Sequence, residues 1–190
     1  MKGKCFSAVN RGQRKKSDFY ETPYSMTEQL YMAEEFNSCD CCDPACGNRA
    51  IGKVLRHRFN GFYESDIKFG DDFLNSSDDE MTTIITNPPF SLAHEFIQKA
   101  KSIYTDKIAF LLPVSYLHGQ KRYEDKIFSE LKCIYVFTRY PMLGEQLRED
   151  GKYHTGMIAY AWYIWTKGWK KEPVIKWIDN QKYVIGKNDK

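Results

Sequence analysis

Met81-Thr82-Thr83-Ile84-Ile85-Thr86-Asn87-Pro88-Pro89-Phe90 is the stretch from which the fold can be read. Met81 to Thr86 is an apolar run of strand formers preceded by a polar, acidic link, Asn75 to Glu80, and it predicts a buried strand. Asn87 ends that strand, because two successive prolines add no N–H to a ladder and fix the backbone direction. Behind the prolines, Leu92, Phe96, Ile97, Ala100 and Ile103 recur at helical spacing, and Ile108 to Leu112 is a second continuous apolar run, closed by Pro113. Strand, helix and strand in this order are the unit of an α/β sheet.

The alternation continues in both directions. Upstream, Ser25 and Glu28 have capping-box spacing ahead of an apolar face of Leu30, Tyr31, Ala33 and Phe36, which predicts a first helix. Cys41-Cys42-Asp43 closes a predicted strand, Pro44 to Asn48 a turn, and Ala50, Ile51, Val54 and Leu55 mark a helix before a second strand at Phe62-Tyr63-Glu64. Downstream, Ile127 and Leu131 predict a further helix, and Cys133 to Phe137 and Met157 to Trp165 further strands. No internal repeat or low-complexity segment breaks the pattern, so the 190 residues are expected to form a single domain, with basic segments at 1–17 and 168–190.

Composition narrows the class. With 42% hydrophobic and 28% charged residues the chain is globular rather than disordered. The net charge is only +3, but Lys2, Lys4, Arg11, Arg14, Lys15 and Lys16 open the chain and lysines from Lys167 to Lys190 thicken its end. Such ends either dock phosphate backbones or serve as solubilising tails. No apolar run approaches the ~20 residues of a membrane span, and Met1-Lys2-Gly3-Lys4 leads into no signal-peptide core. A cytoplasmic protein without membrane contact is expected. Cys39, Cys41, Cys42 and Cys46 crowd together but form no paired Cys-x-x-Cys knuckles, and no histidine follows at ligand spacing; structural thiols and no metal are expected. Cys5 and Cys133 are isolated, so no disulfide framework is implied.

In open α/β sheets ligands gather beyond the carboxyl ends of the strands. Asp43 to Arg49 supplies a glycine turn where backbone can approach a ligand and a following helix with free N–H groups. Asp66 follows the second strand and can accept from ribose hydroxyls, or is an exposed loop acid. Gly70 to Leu74 places a carboxylate beside an aromatic, able to hold an adenine, or forms an ordinary turn. Asn87 to Phe90 is the specific place. An aromatic amine is a poor nucleophile because its lone pair is delocalised into the ring. The Asn87 amide oxygen and the Pro88 carbonyl, both accepting from its N–H groups, favour pyramidalisation, and Phe90 can stack on the base. The prolines bring no competing donors.

The order Tyr20-Glu21-Thr22-Pro23, Asp43-Pro44-Ala45-Cys46-Gly47, Asp66, Asp72-Phe73-Leu74 and Asn87-Pro88-Pro89-Phe90 resembles the adenine-N6 DNA methyltransferases with an Asn-Pro-Pro-aromatic motif, small phage-type ones above all. The resemblance covers most of the chain. It implies a class I methyltransferase, Rossmann-like α/β fold: a mostly parallel seven-stranded sheet with helices on both faces. It further implies methyl transfer from S-adenosylmethionine to the exocyclic N6 amine of adenine in DNA, with no covalent intermediate and no metal. By this resemblance Asn87, Pro88, Pro89 and Phe90 are catalytic. Tyr20, Thr22, Pro23, Asp43, Ala45, Gly47, Asp66, Asp72 and Phe73 hold the cofactor, Asp66 at the ribose hydroxyls and the Asp72-Phe73 pair at its adenine.

Two departures stand out. Arg49 occupies the position of the family's second glycine, where its side chain either crowds the amino-acid end of the cofactor or pairs with its carboxylate. The chain also leaves little room for a target-recognition region. Extruding a base from a duplex costs a few kcal/mol, which favours single strands or weakened pairs. Tyr116, His118, Lys121 and Arg122 after Pro113, and Arg139 to His154 with Arg148 and Lys152, are either the nucleic-acid grip or plain surface charge. Methylation of RNA or of protein glutamine with the same fold, and a catalytically silent nucleic-acid- or protein-binding module, are the alternatives.

Overall fold

The computed structural model describes residues 20–77, 79–138 and 158–179. Helix α1 (Tyr24–Ala33) is followed by β1 (Asp40–Asp43), α2 (Ala50–Leu55), β2 (Gly61–Glu64), β3 (Met81–Thr86), α3 (Ala93–Ile103), β4 (Tyr104–Pro113), α4 (Gln120–Glu124), β5 (Leu131–Phe137), β6 (Tyr160–Thr166) and β7 (Val174–Ile178). The strands form a seven-stranded sheet in the order β2-β1-β3-β4-β6-β5-β7. All neighbours are parallel except β6, which runs antiparallel to β4 and β5. The sheet is thus mostly parallel, as the alternation of strand and helix predicts.

Successive side chains of a strand point to opposite sides, and the apolar residues divide accordingly. Ile85, Ala109, Leu111, Trp162 and Ile164 pack in one cluster with Met26 and Leu30 of α1 and Ile51 and Leu55 of α2. Ile84, Ile108, Phe110, Tyr163 and Trp165 pack in another with Phe96, Ile97 and Ala100 of α3. Two tryptophans of β6 tie these layers together through their single polar atoms. The Trp162 indole N–H donates to the Met26 carbonyl (3.1 Å) and that of Trp165 to the Ile127 carbonyl (2.9 Å), so each buried ring is both packed and partnered.

Some boundaries differ from expectation. Helix α1 begins at Tyr24 with Pro23 as its N-cap and no side-chain cap, so Ser25 lies inside the first turn and the capping box does not form. Proline suits this place because its fixed φ continues into a helix that needs no N–H there. The helix expected around Ile127 and Leu131 is shorter and earlier: α4 ends at Glu124, Lys126 and Glu130 take left-handed backbone, and Leu131 already opens β5. Strand β4 is longer than its apolar run because Tyr104 to Lys107 still pair with β3. Within the basic C-terminal segment, Val174–Ile178 forms a largely exposed edge strand beside β5 that the sequence reading did not single out, although four of its five residues are strand formers. The N-terminal basic residues, Cys5, Met157, Arg139 to His154 and the lysines beyond 179 lie outside the described residues.

A buried ion cluster fixes the end of α1. The Glu34 carboxylate accepts from Lys107 Nζ (2.8 Å), Lys132 Nζ (2.8 Å) and the Tyr135 hydroxyl (2.8 Å), joining α1 to β4 and β5. Burial pushes this carboxyl up, but the two lysines and the tyrosine outweigh it and hold it below its ordinary value.

Candidate active site

Strands β1, β2 and β3 end at Asp43, Glu64 and Thr86, and β1 pairs with β2 on one side and β3 on the other. The chain therefore reverses its direction across the sheet at β1, which opens a crevice beyond the carboxyl ends of these strands. A cavity of about 310 Å³ sits there. Its walls come from Tyr20 to Thr22 ahead of α1, the loop Asp43 to Asn48, the start of α2, Asp66 to Lys68, and Asn87 to Phe90.

The first wall is cross-braced. Gly47 adopts left-handed backbone (φ 51°), and its N–H donates to Asp66 Oδ2 (2.8 Å), whose Oδ1 accepts from the Lys68 N–H (3.0 Å). Lys68 reaches back with its ammonium to the Gly47 carbonyl and to Asn48 Oδ1 (3.3 Å). Backbone bonds from Cys46 N to the Ser65 carbonyl (3.0 Å) and from Ser65 N to the Asp43 carbonyl (3.1 Å) complete the brace. The glycine loop is thus held open by the loop after β2.

Asp43 lies at the floor, 1% exposed. Its Oδ1 accepts from the Thr86 hydroxyl (2.7 Å) and the Ala45 N–H (3.3 Å), while Oδ2 is buried with no hydrogen-bond partner among the described residues. Burial pushes the carboxyl up to about 7 against the pull of those two donors, and the nearby Glu64 and Asp66 push it in the same direction. A buried acid with a vacant oxygen and acidic neighbours suits a cationic ligand.

Asn87 forms the opposite wall. Its amide nitrogen donates to the Tyr20 carbonyl (2.8 Å) and to the Thr22 hydroxyl (3.0 Å), which occupies both N–H groups. Its Oδ1 is buried and accepts from no group among the described residues. Pro88 and Pro89 follow, without N–H groups to fill that acceptor. Phe90 stacks on Tyr20 (centroids 5.8 Å apart, planes at 18°) and on Tyr160 of β6 (5.5 Å, 28°).

Of the site residues expected from sequence, Tyr20, Thr22, Asp43, Ala45, Gly47, Asp66 and Asn87 to Phe90 line one cavity. Pro23 does not; it caps α1. Asp72 and Phe73 also stay outside the lining. The Asp72 carboxylate accepts from the Leu74 N–H (3.0 Å) and Asn75 Nδ2 (2.7 Å), and the buried Phe73 packs on Phe96 at 5.2 Å. Arg49 takes φ 63°, the left-handed backbone that glycine adopts freely, which explains why a glycine suits this position. Its guanidinium lies 4.0 Å from Glu64 and over the Phe69 ring (5.3 Å), outside the cavity lining, so it neither crowds nor extends the cavity. Sequence reasoning missed Lys68, Ile67 and Tyr160; only Lys68, two residues after a singled-out acid, carried a local signal.

Phe90 is also a wall of a second cavity of about 330 Å³, which Tyr116, Lys121 and Arg122 line together with His94 and Glu95. His118 contributes its carbonyl, which accepts from Arg122.

No protein-family model and no curated protein sequence matches the chain. Solved structures do. The type IIG restriction endonuclease BpuSI superposes with a TM-score of 0.53 at 14% identity over 78% of this chain and 25% of its own. The M protein of the type I restriction enzyme EcoKI gives 0.57 at 13% over 82% and 45%, and a predicted O-methyltransferase from Agrobacterium tumefaciens 0.52 at 12% over 83% and 86%. The chain spans a quarter to just under half of the first two proteins' length. At these identities the likeness establishes a shared fold alone, a Rossmann-like α/β sheet.

Proposed function

We propose that the protein is an S-adenosylmethionine-dependent methyltransferase acting on the exocyclic N6 amine of adenine in DNA, on a class I fold with helices on both faces of the sheet. The division of α1 and α2 from α3 between two core clusters supports that layering. The observation that carries the functional reading is the Asn87 amide, whose N–H groups are both used within the chain and whose buried oxygen is left as a vacant acceptor. An amine brought to that oxygen and to the Pro88 carbonyl is held by two acceptors. Its lone pair then turns out of the ring plane toward the part of the same cavity walled by Asp43, Gly47 and Asp66.

The residues present fit the cofactor. Asp43 Oδ2 suits the ammonium of its amino-acid end, Asp66 its ribose hydroxyls, and the Gly47 turn admits backbone close to it. S-adenosylmethionine supplies an electrophilic methyl group on a sulfonium. The chain's own work is to orient the amine at Asn87 and Pro88 beside the aromatic wall of Phe90 and Tyr20, and to leave the departing amine proton to solvent. Likeness to proteins described as restriction enzymes and their M protein supports DNA as the substrate.

The test is transfer of labelled methyl groups to unmethylated single- and double-stranded DNA, with RNA and glutamine peptides in parallel. Label on adenine amines of DNA, lost in Asn87→Ala, is expected. Label on RNA or peptide alone moves the reaction to that acceptor, and no label together with DNA retention leaves a silent binding module.

A further inference from the structure

The second cavity shares only its Phe90 wall with the first, and its contents are of a different kind. Tyr116 is 6% exposed, lines this cavity, and its hydroxyl, although within the influence of the Arg122 guanidinium, makes no hydrogen bond of good geometry among the described residues. A phenol buried to that degree normally finds one. The Arg122 guanidinium stands 4.1 Å from the centre of the Tyr116 ring and donates to the His118 carbonyl. Gly119 makes room for it: with φ 148° and no Cβ it leaves the space in which Arg122 Nη1 would otherwise meet a side chain at 2.7 Å. The guanidinium is thus pre-positioned by ring, carbonyl and missing side chain, with donors to spare.

The polar inventory says what fits. Lys121 and Arg122 favour a phosphate, but Glu95 in the same wall opposes a bare anion and can accept from a base amino or imino group. His94 is engaged by Asp125 (2.8 Å), which moderates the positive charge further. A mixed set of donors, one carboxylate, a vacant phenol and an aromatic wall matches a nucleotide, whose phosphate and base edge need both kinds of partner.

We propose that this cavity is a subsite for the nucleotide next to the target adenine, with Arg122 and Lys121 at its phosphate and the Tyr116 hydroxyl and Glu95 at its base edge. It rests on the reading of Asn87 to Phe90 as the place where the adenine amine is held: Phe90 then separates the target from its neighbour, and the neighbour selects which adenines are presented. Selection would be short, one position wide.

The test is direct binding of the full chain to fluorescent single-stranded oligonucleotides carrying one target adenine in an otherwise adenine-free strand, with each of the four bases beside it in turn, the adenine neighbour giving the single oligonucleotide with two. Wild type is expected to bind the four with unequal affinity. Arg122→Ala should weaken all four on the order of tenfold, as for loss of a charge-assisted contact. Tyr116→Phe, which keeps the packing, should narrow the spread among them while thermal stability and cofactor affinity stay as in wild type. Equal affinity of wild type for all four, or a spread unchanged in Tyr116→Phe, overturns the subsite and leaves at most a plain phosphate contact; absence of binding overturns it outright. Failure of the reaction reads differently: oligonucleotides bind with the expected spread, yet no label reaches adenine.

Discussion

Asn87 and Asp43 face the same cavity with one vacant oxygen each, but the two vacancies behave oppositely toward protons. The Asn87 oxygen is neutral at every pH and only accepts. Asp43, pushed up to about 7 by burial, gives up its proton readily only when a cation arrives. A raised folded-state carboxyl contributes stability that is full below the ordinary carboxylate range and lost as pH rises through its folded value. Asp43→Asn should therefore stabilise the ligand-free protein by a few kcal/mol at about pH 8, with the difference vanishing below about pH 4, while weakening S-adenosylmethionine. Melting curves across pH and calorimetric titration check the two halves. For wild type, cofactor affinity should rise as pH climbs through about 7, with proton release on binding near that value; an affinity flat from acid to alkaline pH would exclude Asp43 as the cation's partner.

Arg49 gives a contrasting expectation. Its left-handed backbone costs about 1 kcal/mol more than glycine would, and its exposed Glu64 contact returns little. Arg49→Gly should leave stability equal or slightly higher and cofactor affinity within about twofold, since the side chain lies outside the cavity lining. A large loss of cofactor affinity would show the guanidinium reaching into the site.

At the level of elements, α1 matters more than its modest length suggests, because it carries Tyr20 to Thr22 into the site and is anchored at its other end by Glu34. Glu34→Ala leaves Lys107 and Lys132 partly buried without their carboxylate and should cost about 3–5 kcal/mol. Urea denaturation measures this. The wild-type contribution, coming from a depressed carboxyl, is present above the ordinary glutamate range and lost as pH falls through the folded value, so the variant and wild type should converge in acid.

Elements were legible in the sequence where one physical cause dominated. Met81 to Thr86 and Ile108 to Leu112 are buried on both sides, and apolar runs report that directly. Val174–Ile178 carries strand formers at four of its five positions, but it is short, exposed along most of its length and interrupted by Lys176 within a lysine-rich segment, so no apolar run or alternation marks it. The Ser25 and Glu28 spacing satisfied a capping rule that Pro23 had already made unnecessary. Asp72-Phe73 shows the same ambiguity: a carboxylate before an aromatic is equally suited to closing its own turn and packing a core, which is what it does here.

Over the whole molecule, the site is a product of topology. Asp43, Asp66 and Asn87 are far apart in sequence yet meet because β1 lies between β2 and β3, and any α/β reading that found the strand ends would find these residues. What such a reading misses are contacts between non-adjacent strands, such as Phe90 after β3 on Tyr160 of β6, and the second cavity built by Gly119 and Arg122. Those depend on side-chain placement between elements with no shared local pattern.

The measurement that tests the central claim most directly is methyl transfer to single-stranded, adenine-containing DNA by wild type and Asn87→Ala at equal cofactor occupancy. With the amine-holding oxygen gone, turnover at equal cofactor occupancy should fall at least about 100-fold, in line with removal of one positioned transition-state partner. Equal turnover by the two proteins, or label on a site other than the adenine amine, would contradict the assignment of Asn87 and with it the proposed reaction.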